Sequence, residues 1–406
     1  MTRMPGKTPA ALAVLVAVAL VGTVLLRLGL EAHRRGPFDL PVSSFEPRER
    51  VPGGALNPPP PRVAPEDEQI DPAALEAAAR YAGERNSRAL IVSRRRHIVF
   101  ERYWQGSDFD TPVAVHSFGK TLAALLVGAA LSERRIVSID EPAARYIEEW
   151  RNDARSAITI RHLLQMTSGL GPPPAEPASP AVGPVGSALE LAPVARPGTT
   201  WVYQDADPQV LGTLIERATG MRYAQYLSEK LWQPLEAGEA WLWLDRPGGA
   251  AQVSCCLVAR QGDWMRVAEI LLYDGVYQGE EVLPPGWVRR MLTPAPGNRH
   301  YGFHVWLGSP HAATRSYSFG RHEVVHRMSE PYAADDVFFL DGQARNRLWL
   351  VPSLELAILR TGGEPPEDAD WDDSYIPNVI IRGVRDRVTP QSGSREVDLS
   401  TLVPNH

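Results

Sequence analysis

His116-Ser117-Phe118-Gly119-Lys120-Thr121 leads without interruption into the apolar segment Leu122–Leu131. Ser117 and Lys120 stand at i and i+3, so on a helix they share one face and their side chains can meet. A serine hydroxyl is a weak nucleophile until a neighbouring base takes its proton. A neutral lysine amine can do that, whereas an arginine guanidinium stays protonated in proteins. The contrast carries weight here, because the 42 basic residues include only three lysines, Lys7, Lys120 and Lys230. At the start of a helix, Ser117 would also turn its backbone N–H toward a developing oxyanion.

Around this motif lies a chain of 406 residues with a formal net charge of −6, 44% hydrophobic and 22% charged. That composition is globular, and the length is enough to bury a core without disulfide or metal staples. Mild acidity argues against a nucleic-acid partner. Cys255 and Cys256 are adjacent, so they cannot join distant segments, and they read as small buried hydrophobes. Ala10–Leu30 is apolar apart from Arg27. At about 1.5 Å per residue it reaches roughly 30 Å, the thickness of a bilayer core. With Arg3 and Lys7 before it, residues 1–9 read as a cytoplasmic N-terminus and 10–30 as a single transmembrane anchor. The remainder would then face the periplasm or exterior of a bacterial inner membrane. A cleaved signal peptide is the rival reading.

Residues 31–68 form a Pro-rich linker, and the proline density over 36–66 predicts neither helix nor sheet. From residue 69 to 406 the pattern is that of one folded domain. Asp71 at the N-cap and Pro72 at N1 predict a helix over Pro72–Arg85. Ala89–Val92 and Ile98–Tyr103 predict a hairpin around Arg94–Arg96. Helical patterns occupy Thr121–Glu133, Ile160–Met166, Pro208–Thr219 and Trp264–Tyr273, and strand-like runs occupy Val337–Leu340, Arg347–Val351 and Leu356–Arg360. Ile376–Val388 reads as a closing helix. Strands at both ends around a helical middle imply one sheet built from both chain ends. Gly171–Thr200 and His311–Asp335 read as loops that shape a pocket.

Further stretches follow the Ser-x-x-Lys motif in order: Ile136–Pro142, Ile158–Leu170 with its Thr167-Ser168-Gly169-Leu170 ending, Trp201–Asp205, Asp274–Val288, Tyr301–Trp306 and Val351–Arg360. Together they resemble the serine β-lactamase and penicillin-binding-protein superfamily across roughly residues 70–390. The likeness is to the esterase and class C β-lactamase branch that includes 6-aminohexanoate-oligomer hydrolases. It implies an α/β fold of α+β type: a mixed, mainly antiparallel sheet flanked by helices, with an all-α insertion. It implies hydrolysis of an ester or amide through a Ser117 acyl-enzyme, with Lys120 and Tyr203 moving protons, and no cofactor. Tyr203-Gln204-Asp205 occupies the family's second motif, Tyr-x-Asn. There the Lys120 ammonium would make the Tyr203 phenol acidic, and Asp205 replaces an amide at a substrate-contacting position. The third motif, normally Lys-Thr-Gly or His-x-Gly, falls on Leu340-Asp341-Gly342 and has no cation. Gly342 would contact substrate, and the backbone N–H of Gln343 would complete an oxyanion hole with Ser117. Arg360-Thr361-Gly362 imitates Lys-Thr-Gly but belongs one strand later.

Two alternatives compete. The altered second and third motifs allow a catalytically silent binding protein on the same fold. His322-Glu323-Val324-Val325-His326 spells the zinc-protease pattern, in which two histidines one helical turn apart hold the metal. Its setting, an apparent loop with Pro331 close behind, does not provide that helix, and no metal ligand is assigned. His116 neighbours Ser117 but adjacent helical residues do not face each other. Neither a Gly-x-Ser-x-Gly elbow nor a phosphate-binding glycine loop occurs.

Overall fold

Apolar runs whose side chains alternate between two buried faces build the central sheet of the computed structural model, which describes residues 46–55, 60–172, 188–319 and 322–386. The proposed anchor over Ala10–Leu30 lies outside these residues. In chain order the elements are β1 (Arg48–Val51), α1 (Pro72–Gly83), β2 (Ser87–Arg94), β3 (His97–Tyr103), β4 (Pro112–Ala114), α2 (Phe118–Ser132), α3 (Ile160–Leu164), α4 (Ala206–Thr219) and α5 (Tyr223–Leu227). They continue with β5 (Ala240–Trp243), β6 (Leu257–Arg260), α6 (Gln261–Leu272), β7 (Val276–Tyr277), β8 (Glu280–Glu281), α7 (Trp287–Met291), β9 (Trp306–Leu307), β10 (Thr314–Phe319) and β11 (His322–Arg327). The last are β12 (Phe338–Gly342), β13 (Asn346–Val351), β14 (Leu356–Gly362) and α8 (Tyr375–Gly383).

Six strands pair in the order β3-β2-β14-β13-β12-β9, all antiparallel. The two chain ends therefore meet where β14 lies on β2, with Ile358 opposite Val92. Ala89, Ile91, Leu348, Leu350, Ala357 and Leu359 join the core that contains α2. Their neighbours Leu90, Val92, Trp349, Val351, Leu356 and Ile358 join the other core, with Leu75 and Ala78 of α1 and Ile376 and Ile380 of α8. Helix α2 is buried from Phe118 through Ala130, as expected of a helix apolar on all sides. It is the rigid post that carries the Ser-x-x-Lys motif.

Several expectations need correction. The proline-rich stretch contains a strand: β1 pairs with β5, Arg48 opposite Trp243 and Val51 opposite Ala240. Pro47 and Pro52 flank β1, where no N–H is asked of them, and its charged residues suit the edge of a sheet ordered β1-β5-β6-β4. The region between the two halves of the main sheet is thus not all-α. Part of the stretch 311–335 is an antiparallel hairpin, β10–β11, in which Tyr317 faces Val324 across the register. Helix α8 ends at Gly383, and Val384 is already extended.

Candidate active site

Ser117 is the N-cap of α2, and Lys120 lies one turn in, 1% exposed. Lys120 Nζ donates to Ser117 Oγ at 3.0 Å, to Asp205 Oδ1 at 2.6 Å and to the Ser254 carbonyl at 2.9 Å. An ammonium has three N–H bonds, so these acceptors use all of them. Gly119 makes the third contact possible. A Cβ there would stand 2.5 Å from the Cys255 carbonyl and 2.7 Å from that of Val253, so a side chain would push the 253–255 segment off Lys120. The end of β12 obeys the same constraint: a Cβ on Gly342 would lie 2.1 Å from the Val115 carbonyl. The two glycines let three segments converge on Ser117.

Tyr203 is 5% exposed, hydrogen-bonds the Ser117 side chain, and has its ring centroid 5.1 Å from Lys120 Nζ. The expectation of an acidic phenol is overturned. Burial first, and then the carboxylates Asp341 and Asp205, raise the Tyr203 pKa above its ordinary value. Asp205 contacts Lys120 rather than merely standing open to a ligand, although its side chain is 46% exposed. A cleft of about 300 Å3 includes Ser117, Tyr203, Asp205, Gly342 and Gln343 in its lining, so the residues expected of the site converge. His116 lines it too, with a left-handed φ of 53°; burial, and then the Lys120 charge, lower its pKa to about 4.

The third-motif strand indeed lacks a cation, but one reaches the cleft from the following turn. Arg345 lines the cleft with Glu364, their Nε and Oε2 4.0 Å apart. Behind them, Asp341 accepts from Arg315 at 2.5 Å and from Arg347, and Asp373 accepts from the same two arginines at 3.1 Å each. Burial alone would raise both carboxyl pKa values, but the arginines outweigh it and hold both below the usual range. Arg360 of the imitation motif lies two strands from β12, fully buried, donating to Ser87 Oγ and the Arg85 and Gly363 carbonyls. It is a structural residue.

The zinc pattern is also overturned. His322–Arg327 is strand β11, and four residues of strand separate two α-carbons by roughly 13 Å, too far for one tetrahedral ion. His326 is instead held by Arg347 and Arg345. Cys255 and Cys256 are joined to each other, and Cys255 is only half-buried and lines the cleft. Tyr317, Arg345, Glu364 and Ser254 carried no sequence signal. His326 carried one, inside the wrong motif.

The Beta-lactamase family model matches residues 73–315, more than half of the chain. The 6-aminohexanoate-dimer hydrolase of Paenarthrobacter ureafaciens is 29% identical over 225 residues, 50% of this chain and 57% of that protein. Esterase EstB of Burkholderia gladioli is 32% identical over 174 residues, 36% of this chain and 44% of the esterase. The chain thus spans about half the length of the curated relatives it matches. A solved Bacillus anthracis structure described as a 6-aminohexanoate-dimer hydrolase superposes with a TM-score of 0.65 at 18% identity, covering 84% of this chain and 90% of that one. With the converging Ser-x-x-Lys and tyrosine motifs, these matches place the chain in the Beta-lactamase family, within the serine β-lactamase and penicillin-binding-protein superfamily of serine hydrolases.

Proposed function

We propose that the chain hydrolyses an ester or amide through an acyl-enzyme on Ser117. The observation that carries this reading is the 3.0 Å contact between Ser117 Oγ and Lys120 Nζ, with the Tyr203 hydroxyl on the same serine. In the resting arrangement all three ammonium hydrogens are in use. Release of one proton toward half-exposed Asp205 and solvent frees a lone pair on Nζ, and rotation about the Cε–Nζ bond turns it to Ser117. Lys120 then takes the serine proton as Oγ bonds to the substrate carbonyl carbon. The backbone N–H groups of Ser117 and Gln343 receive the oxyanion. A phenol kept neutral by burial suits Tyr203 to donating its O–H proton to the departing group, with Lys120 resupplying it. Water enters, gives a proton back through the same groups and releases the acid.

Both bond types are supported by the relatives' names, one an amide-type dimer hydrolase and one an esterase. The apolar run Ala10–Leu30 supports a single-pass inner-membrane anchor with this domain outside the cytoplasm. A fluorophosphonate probe and a panel of aryl esters test the chemistry. Wild-type protein should be labelled and active, and Ser117→Ala neither. Labelling that survives Ser117→Ala would refute the assignment.

A further inference from the structure

His326 is 3% exposed and lines the cleft, yet the acyl-transfer steps do not use it. Its contacts have a direction. Nδ1 lies 3.1 Å from Arg347 Nη2 and also meets Arg345 Nη1. Guanidinium groups only donate, so Nδ1 must be the bare, accepting nitrogen. Burial first, then Arg315, lower the His326 pKa to about 3, so the ring is neutral and its hydrogen sits on Nε2. Nε2 faces Tyr317 Oη at 3.4 Å and Asp341 Oδ2 at 3.5 Å. Asp341 Oδ2 already accepts from Arg315 at 2.5 Å. Of the two, the Tyr317 contact is the nearer and the one with hydrogen-bond geometry, so the Nε2–H bond serves the phenol oxygen.

A phenol that accepts from His326 keeps its own hydrogen for another partner. Tyr317 lines the same cleft as Ser117, and its ring lies 4.5 Å from that of Tyr203, the group assigned to the leaving-group proton. Burial, with Asp341, raises the Tyr317 pKa well above its ordinary value, so the O–H is present at any working pH. The charges around the cleft occur as opposed pairs, Lys120 with Asp205 and Arg345 with Glu364. That balance favours a neutral partner over an anion.

We propose that Tyr317, oriented by His326, is a substrate-binding hydrogen-bond donor that selects substrates carrying a second, neutral carbonyl oxygen on the leaving-group side. The proposal rests on the acyl-enzyme reading for which side of the substrate this is. Tyr317 touches substrate, and His326 is a positioning residue acting through it.

The test uses butanoate esters in matched pairs, 4-oxopentyl against 4-methylpentyl and 5-oxohexyl against 5-methylhexyl. Each pair exchanges the carbonyl oxygen for a methyl group of similar size. Wild type should prefer the oxo member of at least one pair by roughly three- to tenfold, through KM rather than kcat, as one neutral hydrogen bond allows. Tyr317→Phe and His326→Leu should erase the preference. His326→Gln, which keeps a side-chain N–H near the Nε2 position, should restore it at unchanged melting temperature. Absence of a preference in wild type, or its survival in Tyr317→Phe, overturns the proposal. If wild type hydrolyses none of these esters and the fluorophosphonate does not label Ser117, the acyl-enzyme reading fails separately. The ratio of dissociation constants within each pair, measured on Ser117→Ala with and without Tyr317→Phe, then decides the role of Tyr317 under the same criteria.

Discussion

Replacing Asp207 by Asn should make the protein less sensitive to rising pH, by an amount that the structure sets. Asp207 is fully buried in the first turn of α4. Its Oδ1 accepts from Ser168 Oγ at 2.5 Å and Gln204 Nε2 at 3.1 Å, while Oδ2 has no hydrogen-bond partner. Burial outweighs these hydrogen bonds and raises the carboxyl pKa from 3.8 to about 7. The folded protein therefore holds a proton that the unfolded chain releases at lower pH. The stabilisation is complete below about pH 4, declines as pH rises toward 7, and is gone above it. At 1.36 kcal/mol per pKa unit, the span corresponds to about 4 kcal/mol. Asparagine has nothing to titrate. The stability of Asp207→Asn relative to wild type should therefore rise by up to about 4 kcal/mol between pH 4 and pH 8 and stay constant above that. Urea unfolding of both proteins at half-unit pH steps measures the difference directly, cancelling the other titrating groups. Parallel curves, or a difference that grows toward acid, would refute the reasoning.

Lys120→Arg keeps the positive charge but removes the removable proton, so kcat/KM should fall by about 10²–10⁴-fold in an aryl-ester assay while the melting temperature changes little. Gly119→Ala sets a methyl group 2.5 Å from the Cys255 carbonyl. Its overpacking should cost about 1–3 kcal/mol in urea unfolding and depress kcat by withdrawing the Ser254 carbonyl from Lys120. Arg347→Met leaves Asp341 and Asp373 each short of a buried partner. It should destabilise by about 3–5 kcal/mol, read from the shift of the urea midpoint.

The extended and helical segments were legible because their periodicities are local. Ala89–Val92 is a short apolar run just ahead of the basic turn Arg94–Arg96, and Asp71-Pro72 marks a helix start, before anything packs. Strand β1 was not legible. Arg48-Glu49-Arg50-Val51 has no apolar alternation, and only pairing with Ala240–Trp243 makes it sheet. The zinc pattern misled for a related reason. Letters fix spacing along the chain, but helix or strand decides whether four residues amount to one turn or roughly 13 Å.

By itself the sequence determined the pair proposed as nucleophile and base. The i, i+3 geometry of Ser117 and Lys120 follows from the helix they begin, and the choice of Lys in an arginine-rich chain follows from proton chemistry. Tertiary structure decided the electrostatics. Lys120 meets Asp205 85 positions away and Ser254 134 positions away, and Tyr203 is driven away from acidity by burial and by Asp341. Those effects depend on distances across the fold and on exclusion of water, and neither is written in the spacing of residues along a chain.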